Sequence, residues 1–338
     1  MTNLEALFKC LLDVAHLRTY HRSGRFPCTR ASANVTRCYP AESSGVALGH
    51  EPVMRVALAL LLMGVDNLLG AGSVVDAGTH LGGDACFFAM VAPYRTVHAM
   101  DPVALNVAHV RAKRPDWVAM GARMLASPLH IALGRTSNET MRVPRKLWLG
   151  GMVSDGGLPQ RTRAEGKEGK EEVDEVDEVH VRSLDDLVFG TWGTRLALAH
   201  LDVEGVEHAV LVGARRVIRA HRPWVTVEIS ARSYRQRDFG LLRHLGTELR
   251  AGEYTAFIVH ESCGGPECRN FLGVPNERLD AFERSRLWHL MQSAGNLVSR
   301  CDEAAGVKGV KGVKSAAPFL WVCLQESVAR ARRPKHSA

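Results

Sequence analysis

No run of roughly 18 consecutive apolar residues occurs in this chain, so no segment reads as a membrane-spanning helix. The longest apolar stretch, Val56 to Val65, suits a buried helix instead. Lys9 and Asp13 interrupt the only early apolar stretch, which argues against a secretory signal. Cysteines are few and scattered: of eight, only Cys263 and Cys268 lie close, and no second pair or histidine couple completes a zinc site; Asp76, Asp202 and Glu228 could converge on a metal, but no ligand spacing compels one. Reduced thiols in a cytoplasmic protein are the expectation. Organellar targeting is the alternative, and Glu5 and Asp13 weigh against it. Aromatics make up only 6% of residues, and few interleave with the basic ends. Salt-dependent phosphate binding through those ends is therefore not read as the main function, and nucleic acid is not an expected partner. With 46% hydrophobic and 23% charged residues, the chain can bury a sizeable core.

The stretch Ser73 to Pro102 organises the rest. A short apolar run, Val74-Val75, ends on Asp76, and Gly78, Gly82 and Gly83 follow. Ala85 to Val91 has helical spacing, and a second apolar run, Val97 to Met100, ends on Asp101. This reads as strand, glycine loop, helix, strand, with a carboxylate closing each strand. Ligands of open α/β sheets bind at the carboxyl ends of the strands. The spacing Gly78-x-x-x-Gly82 is not the G-x-G-x-x-G pattern that grips a pyrophosphate, which sets aside a nicotinamide dehydrogenase. With Asp76 just ahead, the loop suits a positively charged ligand without phosphate. S-adenosylmethionine, with its sulfonium, amino group, ribose and adenine, has that chemistry. Asp101 stands where a carboxylate can accept hydrogen bonds from ribose hydroxyls.

Along the chain, residues 4 to 18 look like an amphipathic helix, and residues 14 to 41 carry five arginines and no acid. Residues 1–48 are therefore read as a basic N-terminal arm. Glu51 to Leu69 reads as a helix, and Ala104 to Lys113 as another stopped by Pro115. A third strand lies at Val118 to Leu125 or at His130 to Leu133, and short strands are expected within 141 to 154. Residues 156–178 are almost free of large apolar groups and read as a solvated, mobile acidic insertion. Val179 to Val181 is a short strand, and Ser183 with Asp186 three residues on has the pattern of a helix N-cap. Strands follow at Leu196 to Leu201, Trp224 to Ile229 and Tyr254 to His260, with helices at Gly205 to Ala220 and Arg235 to Leu249 between them. Pro318 to Leu324 is a last strand, expected to be antiparallel at the sheet edge. Seven basic residues follow position 307. This alternation predicts a doubly wound, mostly parallel sheet with helices on both faces. The domain is placed at residues 49–275 and a C-terminal extension at 276–338.

Five blocks, in order, closely resemble the FkbM-type family of S-adenosylmethionine-dependent methyltransferases. They are Asp76-Ala77-Gly78-Thr79-His80-Leu81-Gly82, Asp101-Pro102, Ser183-Leu184-Asp185-Asp186, the block His200-Leu201-Asp202-Val203-Glu204-Gly205-Val206-Glu207 with Val210 to Ala214, and Pro223 to Glu228. The likeness covers residues 50 to 275. Within it, His80 replaces the family asparagine, Asp101 the glutamate before proline, and His200 the lysine of the K-x-D block. The acidic insertion is foreign to the pattern.

The resemblance implies a class I methyltransferase, Rossmann-like in architecture, methylating most often an oxygen. It places the cofactor against Asp76, Gly78, Thr79, His80, Gly82, Asp101 and Pro102. Ala132 and Leu133, in HIALG, are candidates for the edge of the adenine pocket. A hydroxyl acceptor must lose a proton, which a base within hydrogen-bond reach can take. Asp202 is the first choice for that role, with Glu204 and His200 behind it, whereas Glu207 reads as an acid serving the dipole of the next helix. The expected acceptor is a small molecule or a glycan. A non-catalytic binding scaffold is the competing reading, motivated by His80 and His200.

Overall fold

The computed structural model describes residues 52–144, 176–229, 247–260, 269–293 and 298–300. The expected N-terminal helix and basic arm, the strand at 318–324 and the basic tail lie outside them, as do residues 230–246 and most of the acidic insertion.

In chain order, helix α1 (Pro52–Leu62) precedes β1 (Ser73–Ala77), α2 (Gly83–Val91), β2 (Val97–Asp101) and α3 (Ala104–Met120). Then come β3 (Leu129–His130), β4 (Ala132–Leu133), β5 (Glu139–Pro144), β6 (Val176–Arg182) and a short α4 (Leu184–Asp186) that runs into a π-helical turn. β7 (Leu196–Leu201), α5 (Glu207–Val212), α6 (Arg215–His221) and β8 (Trp224–Ile229) follow. β9 (Tyr254–His260), β10 (Arg269–Pro275), α7 (Asn276–Glu283), α8 (Arg286–Ser293) and β11 (Val298–Arg300) complete the order. The main sheet has eight strands, β11-β9-β10-β8-β7-β1-β2-β3. Its β8, β7, β1, β2 and β3 are mutually parallel, while β10 is antiparallel to both β8 and β9. This is the doubly wound, Rossmann-like arrangement the sequence pattern predicts.

The central strands are apolar on both sides because both faces are covered. On one face Val74, Leu198 and Trp224 pack with Phe88 of α2 and with Phe282 and Leu287 of the helices after Pro275. On the other, Val75, Ala77, Leu201 and Val225 pack with Leu184, Leu187, Val210 and Val217. A smaller sheet, β4-β6-β5, has its own core of Ala132, Val143, Val179 and Val181.

Several elements depart from expectation. α3 passes through Pro115 to Met120, because Val110 and Trp117 on one face are both buried and the Arg114 side chain bonds the Leu125 carbonyl. That settles the third strand at residues 129–133. The last residues of the acidic insertion, Val176 to Glu178, form the start of β6, paired with β5. The single helix expected over 205–220 is two, broken at Gly213. A β-carbon there would lie 2.1 Å from the Gly134 carbonyl oxygen. The antiparallel strand within the sheet is β10, absent from the sequence reading, and β11 is antiparallel at one edge.

Ser183 caps α4 as expected, its hydroxyl accepting the Asp186 N–H at 3.1 Å. Its neighbour Asp185 serves a second helix. Its carboxylate accepts the N–H groups of Arg216 (3.0 Å) and Val217 (2.8 Å) in the first turn of α6, and its own N–H donates to the Gly213 carbonyl. Asp185→Ala is expected to lower stability by ~1–2 kcal/mol in urea unfolding, the usual cost of a lost helix cap.

Candidate functional site

The loop between β1 and α2 is bent by three left-handed residues, Gly78 (φ 79°), His80 (φ 50°) and Gly82 (φ 81°). Glycine carries no penalty there and histidine carries some. Both glycines are also demanded by close packing. A β-carbon on Gly78 would lie 1.6 Å from the Asp202 carbonyl oxygen, and one on Gly82 would lie 2.8 Å from Trp117 and Val110. The space a side chain would fill is thus taken by the protein, so any ligand meets these glycines through their backbone. The loop is pinned by N–H groups of Gly78 and Thr79, both donating to the Met100 carbonyl at the end of β2.

Two carboxylates close the adjacent strands. Asp101 is 4% exposed and takes three hydrogen bonds. Its Oδ2 accepts the His80 N–H at 2.8 Å, and its Oδ1 accepts the Val103 N–H at 2.8 Å and the Asn106 side-chain amide at 3.1 Å. Burial raises its pKa above the usual carboxylate value, and these hydrogen bonds oppose the rise. Asp76 is 1% exposed and accepts the Thr79 hydroxyl at 2.6 Å. Burial first, and the nearby Asp84 second, push its pKa up to about 7, against the pull of Thr79 and Arg55. Arg55 of α1 is itself held by Asp84 in a two-pronged ion pair at 2.5 and 2.7 Å. Pro102 offers its carbonyl to His130 Nε2 at 2.9 Å, which requires that nitrogen to carry the proton.

β7 delivers Asp202 onto the same loop. The Asp202 N–H donates to the Ala77 carbonyl at 2.9 Å, and its own carbonyl rests over Gly78. The turn beyond it contains Glu204 (φ 57°) and Gly205 (φ 108°). Glu207, set aside in the sequence as a dipole residue, is 3% exposed and its carboxylate accepts the Gly205 N–H at 2.9 Å, locking that turn. Burial pushes its pKa up to about 7, with Glu228 and Glu204 adding to the rise. Nothing in a one-dimensional pattern separates such an acid from a solvated helix-start residue.

Three expected residues lie elsewhere. His200 is inside β7, opposite Asp76 in the ladder, 3% exposed and bonded through Nδ1 to the Thr226 hydroxyl at 2.8 Å, with Phe88 edge-on to its ring. It lies one residue from the end of β7, as Asp76 does in β1, with its side chain buried against Thr226 and Phe88. Ala132 and Leu133 are 4% and 3% exposed and fill two apolar cores, the small sheet's and the main sheet's. The polar contact at that edge comes from His130.

The profile of the FkbM methyltransferase domain matches residues 76–264, from Asp76 in β1 to just past β9. The chain belongs to the FkbM methyltransferase family. Among solved structures, it is similar to the methyltransferase FkbM of Methylobacillus flagellatus KT, at 15% identity over 72% of this chain and 59% of that one, with a TM-score of 0.42. It is also similar to precorrin-6y C5,15-methyltransferase of Geobacter metallireducens GS-15, at 8% identity over 64% and 87% of the two chains, with a TM-score of 0.34. The chain spans 59% of the length of the first of these. No curated protein matches it.

Within this FkbM domain, the described residues contain no group of histidine, cysteine and acid side chains that could hold a metal ion. None of the described helices is long and apolar enough to cross a membrane. What the strand ends present is acid: Asp76 and Asp101 on the loop side, Asp202 and Glu204 on the turn side. A cationic ligand beside Asp76 would offset the cost of ionising a buried carboxyl.

Proposed function

We propose that this chain is an S-adenosylmethionine-dependent methyltransferase acting on a hydroxyl of a small-molecule or sugar-bearing acceptor. The observation that carries this reading is the interlock at the strand ends. The carboxylate closing β2 is tied to the glycine loop through the His80 N–H, and the Asp202 turn is seated on the same loop at Gly78. The residues fit the cofactor's chemistry. Asp101 retains an open acceptor lone pair on Oδ2 for a ribose hydroxyl, and Asp76 supplies negative charge once ionised.

S-adenosylmethionine, when bound, supplies a methyl group already activated by a sulfonium. The protein's part is to align the acceptor, and orientation alone can lower a barrier by ~7–11 kcal/mol in favourable systems. Asp202 would accept the proton that the acceptor hydroxyl loses as its oxygen bonds to the methyl carbon. Base assistance of this kind contributes ~10²–10⁴-fold. Glu207 supports Asp202 indirectly, by holding the turn that carries it.

Calorimetry with S-adenosylhomocysteine tests the reading. Asp101→Ala is expected to weaken binding ~10–100-fold, the loss of a hydrogen bond to a charged group. Absence of any heat with the unaltered protein at millimolar ligand would overturn it. A second reading, a module that binds the cofactor without turnover, rests on the His200 side chain being buried against Thr226 rather than open to a ligand. Binding without transfer of labelled methyl to any of a broad set of hydroxyl acceptors would favour it.

A further inference from the structure

The hydrogen bonds around Asp101 leave an imbalance. Oδ1 of Asp101 is filled by two donors, the Val103 N–H and the Asn106 side-chain amide, while Oδ2 has accepted one, from His80. The amide nitrogen of Asn106 must be the atom facing Asp101, because an ionised carboxylate only accepts. That orientation fixes the other end of the side chain. Asn106 is 2% exposed, and its Oδ1 is buried with no partner. A buried amide oxygen without a donor is costly, and such atoms are rare enough to need a reason. His80 Nε2, on the loop residue whose N–H holds Asp101, is a second buried atom without a partner.

We infer that Asn106 is a cofactor-binding residue, its side-chain oxygen accepting one hydroxyl of the ribose diol while Asp101 Oδ2 accepts the other. The inference rests on the proposed S-adenosylmethionine site and deepens it. A vicinal diol brings two O–H donors, and the two open acceptors here are the spare lone pair of Asp101 Oδ2 and the Asn106 oxygen. Asp101 stands where the family pattern has the longer glutamate, and one of its two oxygens is already filled by the protein. The shorter acid therefore grips one hydroxyl, and Asn106, in the first turn of α3, takes over the second. Asp101 and Asn106 are both buried in this structure, so binding the diol requires the surrounding chain to open.

Titration calorimetry of S-adenosylhomocysteine and its 2′-deoxy and 3′-deoxy analogues on the full chain tests this. Asn106→Ala is expected to weaken S-adenosylhomocysteine about tenfold, in line with one lost hydrogen bond. One of the two deoxy analogues is expected to bind wild type and Asn106→Ala equally, because the hydroxyl that Asn106 holds is already gone. In the wild type, the Asn106 side-chain amide resonance is expected to move with S-adenosylhomocysteine and to stay in place with that analogue. This second measurement does not depend on a variant folding. Equal weakening of all three ligands by Asn106→Ala, or an amide resonance indifferent to which hydroxyl is present, would overturn the inference and leave the cofactor site standing. No binding of S-adenosylhomocysteine to wild type would instead remove the site itself.

Discussion

Gly78→Ala is expected to destabilise the protein by ~3 kcal/mol or more and to abolish cofactor binding. Two costs add. A left-handed backbone conformation costs a non-glycine residue about 1–2 kcal/mol, and Gly78 has φ 79°. The new methyl group would also sit 1.6 Å from the Asp202 carbonyl oxygen, an overlap that can be relieved only by driving the loop and the 202–205 turn apart. Backbone strain and overpacking together belong to the mechanisms that produce the largest single-site losses. Gly193 provides the control. It has φ 62° and open space where a β-carbon would go. Gly193→Ala is expected to cost only about 1 kcal/mol, the conformational part alone. Urea unfolding of the two variants side by side isolates the steric part. A Gly78→Ala loss no larger than that of Gly193→Ala would show that the two loops do not touch as described.

Asp76→Asn is expected to stabilise the unliganded protein at pH 8 while destroying its affinity for the cofactor. Asp76 has its pKa pushed from 3.8 to about 7, and Glu207 from 4.5 to about 7. Between the unfolded and folded values these two carboxyls hold more protons in the native state than in the unfolded state, so their contribution to stability falls as pH rises through this window. The stabilisation is fully present below about pH 4, declines up to about pH 7, and is gone above it. For Asp76 alone the decline is on the order of 4 kcal/mol, since each tenfold change in proton affinity is worth about 1.4 kcal/mol. Asparagine keeps an acceptor for the Thr79 hydroxyl and never ionises. The Asp76→Asn variant is therefore expected to show a shallower fall between pH 4 and 7 and a higher melting temperature at pH 8. On the proposed reading its cofactor affinity is expected to drop, because the negative charge proposed to face the sulfonium is lost. Glu207→Gln flattens the remaining slope, since the amide oxygen still accepts the Gly205 N–H. Buried His98, whose pKa burial lowers to about 4, adds an opposite slope over the same window, so the share of Asp76 is read as the difference between the wild-type and Asp76→Asn curves; a difference that does not fall from pH 4 to 7 would contradict the burial of this acid.

The strand ends were legible because each strand carries its signal locally. The runs at Val74-Val75, Val97 to Met100 and Leu196 to Leu201 stop on or beside an acid, and the structure ends β1, β2 and β7 within a residue of those limits. What a linear reading could not see depends on contacts distant in sequence. The break between α5 and α6 comes from the Gly134 carbonyl pressing on Gly213 and from Asp185 capping the second helix, both contributed by distant segments. Pro115 did not stop α3, because burial of Trp117 outweighs one missing N–H. β10 begins with Arg269 and Asn270 and contains Gly273, so its composition hides a strand that pairing on both sides makes secure. At the site, the carboxylates and glycines were readable as residue types. Asn106 was invisible, since an asparagine inside a helix carries no motif, and Glu207 was discounted because burial of an acid shows only in three dimensions.

The carbonyl of Asp202 occupying the notch at Gly78 makes two distant pieces of chain a single joint. For protein engineering this sets a rule of inheritance. A glycine loop borrowed from a relative must arrive together with its matching 202–205 turn, and a graft of either piece by itself leaves the hinge without its pin.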